Sequence, residues 1–157
     1  MDLVQERAQM FVVGFRGCTL TPDHWLTGAL ERNPPGGVIL FDRNIDKTVQ
    51  NFDFPDQLTS LTAALQRQAR TPMLIAVDQE GGKVCRLKER DGFRATLSAA
   101  ALAAQGVAAT SRHSEAMAAE LVAMGINLIF APVVDLNLNP DNPIIARYER
   151  SFGAEVS

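Results

Sequence analysis

Long apolar runs, blocks of like charge and paired cysteines are all missing from this 157-residue sequence. No apolar run approaches the roughly 18 residues of a membrane-spanning helix. The formal net charge is -3 with no cluster of one sign, which argues against nucleic acid and against an anionic membrane surface as partners. Cys18 and Cys85 are too few for a disulfide framework and lie in no CxxC or Cys/His pattern. We therefore expect reduced thiols, no metal site and a small neutral ligand.

The composition is that of a globular protein, with 46% hydrophobic and 21% charged residues. A chain of this length holds one core, so we expect a single domain over residues 1–157. Its first residues, MDLVQERAQM, are polar and mixed in charge where a signal peptide would be basic and then apolar. The expected compartment is the cytoplasm.

Short apolar runs predict buried strands, because they are too short for helices and too uniformly apolar for half-exposed strands. The runs are Met10–Phe15, Val38–Phe41, Met73–Val77 and Ile126–Ala131. The double-proline, double-glycine segment before Val38 is interpreted as a turn.

Helical patterns separate these runs. They cover residues 2–9, a segment that starts with Thr21 as N-cap, and residues 55–70, 98–105 and 110–124, the last closed by Gly125. Their apolar positions are Leu26, Leu30, Leu58, Leu61, Leu65, Ala100, Ala104, Met117, Leu121 and Met124. This alternation predicts an α/β fold with a parallel sheet. A complete (β/α)₈ TIM barrel takes roughly 250 residues, so we expect about its first half, truncated after the fourth strand.

The stretch Met73–Leu87, MLIAVDQEGGKVCRL, combines a predicted strand with charged residues directly after it. Asp78 and Glu80 follow the strand, where ligands of parallel α/β folds collect. A glycine pair permits unusual backbone conformations or close approaches, and Lys83 and Arg86 then return positive charge to the same neighbourhood. The stretch is therefore either part of a ligand site or a tight turn held by ion pairs.

Together, several motifs resemble the N-terminal half of glycoside hydrolase family 3, nearest to the bacterial β-N-acetylhexosaminidases of cell-wall recycling. They are GGVILFDRNI (Gly36–Ile45), PMLIAVDQEGGKVCRL (Pro72–Leu87), INLIFAPVVDLN (Ile126–Asn137) and ERSFG (Glu149–Gly153), in order and in register. The resemblance implies a TIM-like barrel that cleaves terminal β-linked N-acetylglucosamine with retention of configuration. Its ligand would be a muropeptide or a related glycoside.

The resemblance also implies the residues that bind the sugar. Asp78 opens the DQEGG motif, Arg86 closes GGKVCR, and Arg150 belongs to ERSFG. A carboxylate and guanidinium forks at these positions would fix the ring by accepting from and donating to its hydroxyl groups. For Asp78 and Arg86 the alternative is an ion pair that only holds the turn.

The catalytic residues of the family are not expected in this segment. A retaining glycosidase needs a nucleophilic carboxylate and a proton donor. In the family these come from a Lys-His pair, a loop histidine with its aspartate, and a later aspartate, all beyond the fourth strand. His24 and His113 lie in predicted helices and are interpreted as surface or packing residues.

Three other residues and one segment have expected supporting roles or depart from the family pattern. We expect Glu80 to cap backbone groups, and Asp135 to orient a loop. Lys83 replaces a usual arginine, and FRATLS follows Arg86 where the family has a proline-bearing segment, which changes the outer edge of the pocket.

Three hypotheses follow from the sequence. The first is the sugar-binding part of a family 3 β-N-acetylglucosaminidase that is inactive without its downstream half. The second is a half-barrel that binds carbohydrate without cleaving it. The third is a poorly folded remnant whose unpaired sheet edges lead to association.

Overall fold

The computed structural model describes residues 3–155, and these form two compact units. The first unit covers residues 3–77 and 121–128, and the second covers residues 78–120 and 129–155. The second unit therefore holds the segments that directly follow the third and fourth predicted strands in the chain.

The first unit contains a four-stranded sheet in the order β1-β2-β3-β6. Its strands are β1 (Val12–Gly14), β2 (Gly37–Leu40), β3 (Leu74–Val77) and β6 (Leu128–Ile129). β2 is parallel to both β1 and β3, with Val38 opposite Ile75. All four predicted strands are thus confirmed in a shorter form. β4 (Gln79–Gly81) and β5 (Val84–Cys85) form a separate sheet that is described below.

The helices of this unit are α1 (Leu3–Ala8), α2 (Trp25–Arg32) and α3 (Pro55–Gln68). Leucines at helical spacing turn inward and are almost completely buried, as the periodicity predicted. They are Leu26, Leu30, Leu58, Leu61 and Leu65. Burying each leucine side chain contributes about 2 kcal/mol, so this apolar face stabilises the packing of the helices.

The start of α2 differs from the prediction. His24, not Thr21, is the N-cap, because its Nδ1 accepts a hydrogen bond from the Leu26 N–H. Its other ring nitrogen lies 2.8 Å from the Arg16 carbonyl, and its ring packs edge-on against Phe15. His24 is therefore a structural residue that joins the helix start to the segment after β1.

The glycines at the start of β2 do more than form the predicted turn. A Cβ at Gly37 would lie 2.7 Å from the Leu74 carbonyl oxygen, and one at Gly36 would collide with the backbone of Gln9. Neither gap admits a side chain, so the glycines let β2 approach its neighbours closely.

Two asparagines supply hydrogen bonds where the backbone ladder is incomplete. The Asn51 amide is buried, accepts from Phe41 N–H and donates to the carbonyls of Phe15 and Gly17. The Asn127 amide accepts from Ile75 N–H and donates to the Met73 carbonyl. Each side chain replaces strand pairing and ties a loop to the sheet.

The second unit begins with an unpredicted antiparallel hairpin, β4 (Gln79–Gly81) and β5 (Val84–Cys85). A short 3₁₀ turn (Glu89–Asp91) follows, then α4 (Ala99–Gln105) and most of α5 (Val107–Ala123). Ser98 caps α4 through a hydrogen bond from Ala101 N–H. Both helices confirm the predicted segments, although α5 begins earlier than expected.

The apolar face of α4 is not the predicted one. Ala99 and Leu102 are buried, whereas Ala100 and Ala104 are exposed. An alanine-rich helix gives no contrast in hydrophobicity, so its periodicity leaves the buried side undetermined. Gly125, with φ +77°, does follow the end of α5 as predicted.

Cys18 and Cys85 are both free, as the sequence predicts. Burial raises the pKa of the Cys18 thiol, with a further contribution from the nearby Asp53 carboxylate. Among residues 3–155, no helix has the length and hydropathy needed to cross a membrane.

The loop after Arg86 is fastened to α5. Glu120 accepts a hydrogen bond from Arg94 N–H, and Nε2 of His113 accepts one from Leu97 N–H. His113 must therefore be neutral to hold the loop. Burial, and then the charge of Arg94, lower the pKa of His113 below its ordinary value of 6.5.

This contact predicts acid destabilisation. Because the pKa of His113 is lowered in the folded state, the unfolded chain takes up a proton first as the pH falls below about 6.5. The contribution of His113 to stability is therefore present above that pH, and it is lost as the pH falls through the folded-state pKa. Urea unfolding of the chain from pH 7.5 to 5 is expected to show falling stability. His113→Gln, which keeps an acceptor that does not titrate, is expected to reduce that fall, and an unchanged pH profile would contradict the role.

Candidate functional site

The hairpin β4–β5 places two carboxylates on one pocket. Asp78 is the residue after β3, and Glu80 lies in β4 at an irregular register where Gln79 pairs with Cys85 and Gly81 with Val84. Such a bulge redirects the side chain of the extra residue. As a result both Asp78 and Glu80 line the same pocket.

The side chain of Gln79 between them is completely buried and holds the hairpin together. Its Oε1 accepts hydrogen bonds from Arg86 N–H at 2.9 Å and Leu87 N–H at 3.1 Å. Its Nε2 donates to the Leu87 carbonyl at 3.3 Å. One amide therefore fixes the backbone that carries Arg86.

Gly81 and Gly82 complete the turn with positive φ angles of +100° and +57°. A side chain on Gly81 would collide with the Leu97 carbonyl, and one on Gly82 would lie 2.7 Å from the Ser98 side chain. The sequence interpretation of this pair, unusual conformation or close approach, is confirmed on both counts.

The first ion pair of the pocket joins Asp78 and Arg86. Arg86 Nη2 donates to Asp78 Oδ2 at 3.0 Å, and both side chains are about 30% exposed or less. The contact that the sequence offered as an alternative to sugar binding is therefore present. Both groups still face the pocket, where a hydroxyl-bearing ligand can reach them.

The second ion pair joins Glu80 and Arg150, and it corrects the expectation that Glu80 caps backbone groups. Arg150 donates from Nε to Glu80 Oε2 at 2.8 Å and from Nη2 to Oε1 at 2.7 Å. The side chains are 12% exposed for Glu80 and 23% for Arg150. The hydrogen bonds with Glu80 are also the main reason that the pKa of Arg150 is raised.

These residues surround a pocket of about 360 Å³. Its lining consists of Asp78, Glu80, Val84, Arg86, Ile144, Tyr148 and Arg150. The volume falls in the range of small-molecule sites. Its two acids and two arginines balance in formal charge, and the three remaining side chains provide an apolar surface.

Lys83 does not line this pocket. Its ammonium group donates to the Arg147 carbonyl at 3.1 Å and lies 3.5 Å from the Glu149 carboxylate. Lys83 therefore holds the segment that carries Tyr148 and Arg150. A single compact cation is enough for these contacts, so a lysine can stand where the family usually has an arginine.

Asp135 has the structural role that the sequence interpretation favoured, and it fills this role through its backbone carbonyl. Its carbonyl accepts a hydrogen bond from the buried Ser151 hydroxyl at 2.7 Å, next to Arg150 in the chain. Neither histidine lines the pocket. Among residues 3–155 there is no cluster of three or more His, Cys, Asp or Glu side chains that suits a metal ion.

The fold and the pocket define a class. Parallel strands alternating with helices, in sheet order equal to chain order, are the first part of a TIM-type (β/α) barrel. The polar pocket is built from segments that follow β3 and β6 in the chain.

Comparison with known proteins gives the family. Residues 3–157 match the glycosyl hydrolase family 3 N terminal domain, so the chain belongs to glycoside hydrolase family 3. It is 38% identical over 130 residues to Beta-hexosaminidase A of Pseudoalteromonas piscicida, covering 81% of this chain and 21% of that protein.

Two solved structures are similar to it. A glycoside hydrolase family 3 beta-N-acetylglucosaminidase from Paenibacillus sp. superimposes with a TM-score of 0.80 and 35% identity, over 92% of this chain and 26% of that one. NagZ from Neisseria gonorrhoeae, in complex with N-trifluoroacetyl-D-glucosamine, superimposes with a TM-score of 0.75 and 31% identity. The match covers 91% of this chain and 40% of that one. The chain thus spans less than half the length of these relatives.

Gln79 generates a stability prediction. Gln79→Ala removes three hydrogen bonds and leaves a cavity in the hairpin, so we expect a loss of about 2–4 kcal/mol in urea unfolding. The matched control is Gln105→Ala, an exposed glutamine at the end of α4, with an expected change within about 0.5 kcal/mol. Equal effects of the two substitutions would contradict the role of Gln79.

Proposed function

We propose that this chain supplies the sugar-binding part of a glycoside hydrolase that releases terminal, non-reducing β-linked N-acetylglucosamine. The observation that carries the proposal is the pocket in which two carboxylates and two arginines face apolar side chains. The beta-hexosaminidase and NagZ relatives support the choice of sugar.

The chemistry of the pocket suits a neutral, hydroxyl-rich ring. Its charges balance, so an ionic ligand would gain little from it, whereas hydroxyl groups meet acceptors on Asp78 and donors on Arg86. Val84, Ile144 and Tyr148 offer apolar contact for the C–H face of the ring or for an acetyl methyl group. A sugar presents both kinds of surface.

In this proposal, Asp78 and Arg86 are the principal sugar ligands. Charge-assisted hydrogen bonds to hydroxyl groups are stronger than neutral ones, and two such groups held 3.0 Å apart restrict the orientation of the ring. Arg150 is a further ligand, through the part of its guanidinium that Glu80 does not occupy.

We assign the chemical step to residues outside this segment. A retaining mechanism needs one carboxylate as nucleophile and a separate proton donor. Asp78 and Glu80 are each held by an arginine, and neither histidine lines the pocket. The relatives extend well beyond the matched region, which leaves room for both catalytic groups.

The setting proposed for this activity is recycling of cell-wall fragments in the cytoplasm, where a muropeptide would present the terminal sugar. Hydrolysis is proposed to proceed with retention of configuration through a covalent glycosyl-enzyme.

The test is turnover of 4-nitrophenyl N-acetyl-β-D-glucosaminide. The 157-residue chain alone is expected to release no nitrophenol above the uncatalysed rate. A polypeptide that also includes the downstream region found in the relatives is expected to release it. Turnover by the short chain would overturn the assignment of catalysis, and sugar binding without turnover by the long one would favour a carbohydrate-binding protein.

Asp78→Asn in the longer polypeptide tests the sugar ligand. Losing a charged acceptor is expected to lower kcat/KM about 10- to 100-fold, because a hydrogen bond to a charged group contributes about 1.5–3 kcal/mol. The matched control is Asp53→Asn, which removes an acid paired with Arg43 outside the pocket and is expected to leave kcat/KM within about twofold. Equal losses in both variants would contradict the assignment.

A further inference from the structure

We infer that Glu80 is a positioning residue for sugar recognition: it binds the Nε–Nη2 edge of the Arg150 guanidinium and leaves the outer Nη1–Nη2 edge for the ligand. This inference rests on the proposed function. It gives Glu80 a different role from the capping of backbone groups that the sequence interpretation assigned to it.

The geometry of the pair leaves little freedom to Arg150. Its Nε and Nη2 are both bonded to Glu80, at 2.8 and 2.7 Å, in the parallel arrangement in which guanidinium and carboxylate fit best. No hydrogen bond from Nη1 is present among residues 3–155. Arg150 therefore offers a ligand the N–H groups of its outer Nη1–Nη2 edge, because Glu80 occupies the Nε–Nη2 edge.

Burial strengthens the Glu80–Arg150 ion pair enough for it to fix the position of Arg150. The Glu80 side chain is 12% exposed, so solvent screens the contact less than it does the half-exposed Lys83–Glu149 pair. Glu80 lies at the bulge of β4, whose backbone is fixed by the buried Gln79 next to it. The orientation of Arg150 is therefore set by the hairpin, although Arg150 itself is in a loop.

The two acid–arginine pairs then have different tasks. Arg86 gives one nitrogen, Nη2, to a single oxygen of Asp78 at 3.0 Å, a contact that a hydroxyl group can share. Arg150 is committed to Glu80 by both oxygens of the carboxylate. We expect sugar binding to rearrange the first pair and to leave the second intact.

The first measurement is the Nε–H signal of Arg150 by NMR of the ¹⁵N-labelled 157-residue chain, assigned by its loss in Arg150→Lys. A slowly exchanging signal is expected, and Glu80→Gln is expected to shift it and to speed its exchange with water at least tenfold. Glu115→Gln is the matched control, because it neutralises an exposed acid of α5 that accepts a hydrogen bond from Ser111 and does not line the pocket. It should leave the signal unchanged, and an Arg150 signal unaffected by Glu80→Gln would overturn the inference.

The second measurement is the Kd for N-acetylglucosamine, from titration of the same chain. Glu80→Gln and Arg150→Ala are each expected to weaken binding about tenfold, and the double variant no more than Arg150→Ala alone. A further tenfold loss in the double variant would show that Glu80 contacts the sugar directly and would overturn the inference.

The two measurements separate this inference from the proposed function. Absence of sugar binding by the unsubstituted chain would count against the function, while the Nε–H signal still tests the positioning of Arg150. If Glu80→Gln fails to fold, Glu80→Asp takes its place. It keeps the charge but is one methylene shorter, so an intermediate exchange rate and an intermediate Kd are expected, and values equal to those of the unsubstituted chain would overturn the inference.

Discussion

The side-chain amide of Gln79 is completely buried. It accepts hydrogen bonds from the N–H groups of Arg86 and Leu87 and donates one to the Leu87 carbonyl. An unsatisfied polar group in that position would be costly, so the hairpin has one arrangement in which the amide is bonded. That arrangement directs Asp78 and Glu80 into one pocket. Every contact proposed for the sugar depends on it.

The pocket also depends on how closely backbones approach one another. Gly81 and Gly82 pass against residues 97–98, where no side chain fits. The loop that carries Arg150 is held in turn by Lys83 and by the Ser151 hydroxyl. Small residues and hydrogen bonds, not apolar packing, thus position the polar groups.

The sequence was sufficient for the strands and for the helices with leucine periodicity, because burial of one face leaves a local pattern. Motifs in register also pointed to Asp78, Arg86 and Arg150; the structure places all three on one pocket, and their contact with a sugar stays a prediction. The sequence missed the Glu80–Arg150 pair, whose members lie 70 residues apart, because no local pattern records the partner of a charged side chain. It also missed His24 as the N-cap of α2, because histidine is not among the residues that usually cap helices. The buried side of α4 was missed because a run of alanine shows no periodicity in hydrophobicity.

The central claim is that a sugar binds between Asp78 and Arg86 while Glu80 holds Arg150. A crystal structure of the protein, extended by the downstream region of its relatives and soaked with N-acetylglucosamine, tests it most directly. We predict sugar hydroxyl oxygens within hydrogen-bond distance of Asp78 and Arg86, a contact from the Nη1–Nη2 edge of Arg150, and an unchanged Glu80–Arg150 pair. A sugar bound elsewhere, or one that displaces Glu80 from Arg150, would contradict the account.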